Sequence, residues 1–97
     1  MEKKETFITT MNLVLENSFG VIGAEDNVEL EVTVGIKEDG TYGWFEFYDT
    51  KSGGEDWYAE GGLWFEGITL TDYDGVFSLP DFVTNKLNEW GYDTDEM

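Results

Sequence analysis

The chain reads as an α+β domain: an antiparallel β-meander of four to five strands with a C-terminal helix packed on one face. Three observations predict it. Residues 28–36 alternate strictly, with Val28, Leu30, Val32, Val34 and Ile36 on one parity and Glu29, Glu31, Thr33 and Gly35 on the other. Glycine-bearing turn signals then recur along the chain: Glu38-Asp39-Gly40, Lys51-Ser52-Gly53-Gly54 and Asp72-Tyr73-Asp74-Gly75. Helical spacing appears only after them, as Phe82, Val83, Leu87 and Trp90.

Each element follows in order. Residues 6–16 are rich in β-formers, and Phe7, Met11, Leu13 and Leu15 share a parity, so a strand is predicted. Residues 17–27 contain Asn17, Gly20, Gly23, Asp26 and Asn27 and read as a loop with room for one helical turn. The alternating strand 28–36 turns at Gly40 and returns as 41–49. Segments 55–60 and 63–71 read as further strands, split by Gly61-Gly62 at a bend or bulge. The helix is expected over about 80–90. Pro80 suits its first turn, Asp81 favours its positive end, and Gly91 stops it. Residues 92–97 form a short acidic tail. No repeat or linker divides residues 1–97, so one domain is expected.

Charge is the strongest functional clue. Twenty-two acidic residues face five lysines, with no histidine or cysteine, and the net charge is −17. Like charges repel in the compact state. Yet 40% of the residues are hydrophobic and 16% aromatic, which is not the composition of a disordered acidic tail. Seven acids precede residue 37 and fifteen follow it, so the charge belongs to the folded surface. Such a surface suits a strongly basic partner, and the commonest strongly basic protein surfaces hold nucleic acid. Direct binding to DNA, RNA or an anionic membrane is disfavoured by repulsion. No apolar run approaches the ~20 residues of a membrane span, and no apolar segment follows the first lysines as in a signal peptide. The absence of cysteine fits a reducing cytoplasm.

The same composition narrows the chemistry. Without His or Cys there is no triad, thiolate nucleophile or zinc site of the usual kind. Asp72-Tyr73-Asp74-Gly75 has the beginning of a calcium loop but lacks its later ligands, so no specific metal and no cofactor are expected. Paired carboxylates could serve a glycosidase, but too many pairs fit for one to be singled out. The glycine pairs are not followed by Gly-Lys-Ser/Thr, so they are not phosphate loops.

Binding chemistry remains. On a strand, carboxylates two residues apart lie roughly 6.6 Å apart on one face, a spacing that can approximate a phosphate row. The candidate contact residues are Glu29, Glu31, Glu46, Asp49, Glu55, Asp56, Glu60, Glu66, Asp72 and Asp74, with Glu38 and Asp39 at a hairpin tip that could reach deepest. Aromatics interleave with them: Tyr42, Trp44 and Tyr48 share a parity with Glu46, while Phe45, Phe47 and Asp49 lie opposite. Two readings stay open. Either the sheet is covered on both faces, by the helix and by the 17–27 loop, or one set of rings is exposed to stack on arginine.

The stretches Trp44-Phe-Glu-Phe-Tyr-Asp49, Glu55-Asp-Trp-Tyr-Ala-Glu60 and Thr71-Asp-Tyr-Asp-Gly75, with the size and acidity of the whole chain, resemble the DNA-mimic inhibitors of phages and mobile elements. Among these the chain looks most like the small acidic anti-CRISPR proteins. The resemblance implies a protein that is not an enzyme and acts in the host cytoplasm. It would block the DNA-binding channel of a CRISPR surveillance complex, by preference a type I complex. Its partner would be a basic DNA-binding protein or ribonucleoprotein complex of the host, with no direct contact to nucleic acid or membrane. The rival readings are an immunity protein or antitoxin that neutralises a basic nuclease, and a small phage structural protein.

Overall fold

In a computed structural model of the chain, residues 2–17, 20–76 and 78–95 are described, residues 13–25 by their backbone alone. Among the described residues, five strands form one antiparallel sheet in the order β1-β2-β3-β4-β5, and a single helix follows them. The strands are β1 (Lys3–Asn17), β2 (Gly20–Ile36), β3 (Tyr42–Asp49), β4 (Tyr58–Glu66) and β5 (Thr69–Tyr73); the helix is α1 (Asp81–Glu89). The α+β meander predicted from the alternation is therefore present.

The register shows which residues share a face. Val32 pairs with Phe7 on one side and Phe47 on the other, and Phe47 pairs with Ala59. This parity is the core. Leu30, Val32, Val34, Phe45, Leu63, Leu70, Val83 and Leu87 are fully enclosed. A nine-residue helix is too short to stand alone in water, so its apolar stripe must hold it. Val83 and Leu87 supply that stripe, and Phe82 meets Phe47 edge-on with ring centroids 5.2 Å apart. Lys86 ties the helix to β1 by an ion pair with Glu5 and bonds Glu89 as well; Glu5 first, then Glu89, holds its ammonium above the usual lysine range. The helix ends in a Schellman motif: Tyr92 N–H donates to the Leu87 carbonyl at 2.9 Å and Gly91 N–H to Asn88 at 3.0 Å, with Gly91 at φ 92°. The chain then runs beside β5, where Leu70 N–H donates to the Asp93 carbonyl and Asp93 N–H to Ile68. This covers part of an otherwise open sheet edge.

Three expectations about elements need correction. Of the 17–27 segment read as a loop, residues 18 and 19 lie outside the described residues, but residues 20–27 belong to β2. Its polar signals serve a bulge instead. Asn27 adopts φ 57°, and its N–H donates to the Asn12 side chain where the β1–β2 register shifts. Segment 63–71 is not one strand: the chain turns at Gly67, which takes φ 63°, and Glu66 pairs with Thr69. Gly61-Gly62 does not split a strand, because β4 continues through it. A Cβ on Gly61 would collide with the Asp74 carbonyl, so this glycine permits the chain after β5 to pack on β4. The last two residues of the acidic tail lie outside the described residues.

Candidate interaction face

The parity opposite the core forms an open sheet face on which acids and rings alternate. From β1 come Thr6 and Ile8, from β2 Glu29, Glu31 and Thr33, and from β3 Tyr42, Trp44, Glu46 and Tyr48. From β4 come Tyr58, Glu60, Trp64 and Glu66, with Asp72 of β5 opposite Trp64. Segment 20–27 is strand and lies in the sheet rather than over it. The reading in which one ring set is exposed therefore holds: Tyr42, Tyr58 and Trp64 are exposed, and Trp44 and Tyr48 are half-buried.

The twelve candidate carboxylates separate into four groups. Glu29, Glu31, Glu46, Glu60, Glu66 and Asp72 share the open face, and Asp74 borders it, accepting the Gly62 N–H at 2.6 Å. Glu38 and Asp39 are exposed at the β2–β3 tip, where the Thr41 N–H donates to Asp39 and lowers its carboxyl pKa. Glu55 and Asp56 are exposed in the loop at the other end of β3.

Asp49 is a correction. It sits on the core parity and is only 3% exposed. Its Oδ1 accepts the Ser52 hydroxyl at 2.5 Å and the Trp57 N–H at 3.2 Å, and its Oδ2 accepts the Ser52 N–H at 2.7 Å. These bonds, the Ser52 hydroxyl foremost, hold its carboxyl below the usual range. Asp49 organises the 50–57 loop and presents no charge to a partner.

Four of the open-face carboxylates are held by neutral hydroxyls. The Thr50 hydroxyl donates to Glu29 at 2.7 Å, and the Tyr48 hydroxyl donates to Glu31. The Tyr58 hydroxyl donates to Glu60 at 2.8 Å and reaches Glu46 at 3.4 Å. Glu46 and Glu60 stand directly opposite each other across β3 and β4. The Tyr48 phenol is pushed above its ordinary value, chiefly by its bond to Glu31, and Tyr58, bonded to Glu60, is pushed up to about 12. The ion pairs of Lys86 with Glu5 and Glu89 lie away from this face.

Neutral hydroxyls restrict the side chains while leaving their charge available. Neighbouring strands lie about 4.8 Å apart and successive same-face residues roughly 6.6 Å apart, so the carboxylates occupy points of that grid. The tyrosine and threonine donors were not singled out in the sequence. The only signal for them is the two-residue spacing of Tyr58 and Glu60; the rest depends on strand register.

Two tryptophans complete the face. Trp44 lies over Gly35 of β2, and Trp64 lies over Gly62, so each glycine leaves the space its ring occupies. Tyr42 meets Trp64 edge-on at 5.5 Å. Among the described residues, no group of three or more potential ligands converges as a metal site, and no helix is long and apolar enough to cross a membrane. Comparison of the chain with protein-family models, with curated proteins and with solved structures finds no match.

Proposed function

We propose that this protein is a nucleic-acid decoy. It docks its open acidic face on a Lys/Arg surface of a nucleic-acid-binding protein or ribonucleoprotein complex and excludes DNA by occupancy. The observation that carries this reading is the row Glu29, Glu31, Glu46 and Glu60, held by hydroxyl donors and lying outside any described ion pair. Complementary charge speeds the encounter and fixes orientation, and exposed rings among the acids supply anchors. No bond is made or broken. Within this class, the resemblance to small acidic anti-CRISPR proteins points to the DNA channel of a CRISPR surveillance complex in the host cytoplasm, by preference type I.

The test is competition. Purified type I surveillance complex is titrated with the protein, and duplex target binding is followed by gel shift across a salt series. Loss of DNA binding that weakens with salt is expected. The combined Glu29→Gln, Glu31→Gln, Glu46→Gln and Glu60→Gln variant should inhibit poorly while keeping the wild-type circular dichroism spectrum. Full inhibition by that variant would remove the acidic face as the working surface. If type I complexes bind DNA undisturbed, affinity capture on the immobilised protein decides the target. A nuclease recovered there would select the immunity reading, and self-association without any basic partner would favour a structural role.

A further inference from the structure

The open face carries a shallow, solvent-open cleft of about 560 Å³, lined by Tyr42 and Trp44, by the acids Glu46, Glu60 and Asp74, and by Gly62 among other residues. Trp44 also meets a cation from the chain itself, Lys37, which is not among the residues lining the cleft: its Nζ stands 4.6 Å from the centroid of a Trp44 ring. Lys37 follows β2 at the exposed tip, and the Trp44 indole lies over Gly35.

We infer that this cleft receives an arginine side chain of the basic partner, with Lys37 holding the Trp44 face until the guanidinium displaces it. The inference rests on the decoy reading and makes it specific. An aromatic wall beside several carboxylates suits a planar, delocalised cation that can stack and fork two hydrogen bonds at once. A lysine ammonium is a compact, strongly hydrated point charge and uses the wall less well. A charged face alone would not distinguish the two cations; an aromatic ring beside carboxylate acceptors does. The Lys37 contact shows that the Trp44 face is accessible to a cation, and a ligand must compete with that contact.

The experiment uses the full chain with two probes, nona-arginine and nona-lysine peptides, read by calorimetry and tryptophan fluorescence at physiological salt. Wild-type protein should bind the arginine peptide about fivefold more tightly than the lysine peptide, the scale of one exposed cation–ring contact. Trp44→Leu should lower the arginine affinity to the lysine level. Lys37→Gln should raise arginine affinity more than Lys51→Gln, which makes the same charge change in the loop at the other end of β3. Lys37 is exposed, so its variant remains informative even if Trp44→Leu fails to fold. Equal affinity for the two peptides, or equal effects of Lys37→Gln and Lys51→Gln, would overturn the arginine cleft and leave the charged decoy face intact. Failure of wild-type protein to bind either peptide would overturn both.

Discussion

Glu46→Gln should make the protein more stable and a poorer decoy. Glu46 and Glu60 face each other across β3 and β4, and one hydroxyl, that of Tyr58, lies 2.8 Å from Glu60 and 3.4 Å from Glu46. The two nearest carboxylate oxygens are therefore no more than about 6 Å apart. At that distance two unit charges repel by about 0.7 kcal/mol in water and about 2.8 kcal/mol at an effective dielectric of 20. Physiological salt, with a Debye length of about 8 Å, roughly halves this, leaving about 0.3–1.3 kcal/mol. A glutamine at 46 relieves that repulsion and keeps a carbonyl acceptor for Tyr58. A gain of about 0.7 kcal/mol in a domain of this size raises Tm by about 3–6 °C. Thermal unfolding followed by circular dichroism measures it. The difference between variant and wild type should be largest at low salt and shrink as salt is added. The same variant should associate more slowly with its target. A Tm that falls in Glu46→Gln at low salt would refute the argument, because the pair would then be stabilised by something stronger than its mutual repulsion.

Three further outcomes follow from the geometry. Asp49, held below its ordinary value by Ser52 and Trp57, stabilises the fold above the unfolded carboxyl pKa of about 3.9, and that contribution is lost as pH falls through its lower folded value. Asp49→Asn should be less stable in urea at neutral pH and should show a shallower loss of stability on acidification. Tyr58 should ionise near pH 12, so an ultraviolet titration should lose its latest phase in Tyr58→Phe. Because the folded value is raised, its contribution to stability is complete below the unfolded pKa of about 10 and is lost as pH rises through the folded one. Gly61→Ala drives a methyl into the Asp74 carbonyl and the Phe45 ring and should cost about 1–3 kcal/mol in urea unfolding, whereas an exposed Gly53→Ala meets no neighbouring atom and is strained only by its φ of 68°.

The sequence determined this protein's class and character by itself. Strict alternation from Val28 to Ile36 specifies a strand with one apolar side, because side chains on a strand point alternately to opposite faces. Pro80, Asp81 and Gly91 bracket a helix through backbone chemistry that needs no tertiary context. The net charge of −17 is composition alone. Other features needed the fold. Asn27 and Gly23 have the composition of a loop, yet the pairing of β2 with β1 keeps that stretch extended, and Asn27 takes the left-handed conformation at a bulge. Asp49 shares the parity of Phe45 and Phe47 in the sequence, but only the return of Ser52 and Trp57 supplies the donors that bury its carboxylate. Glu46 and Glu60 are fourteen positions apart, and only the β3–β4 register makes them neighbours under one tyrosine hydroxyl. Local pattern reports what a residue does to its own backbone and which side of a strand it takes. Which charges stand together depends on contacts between distant segments, and strand register decides those.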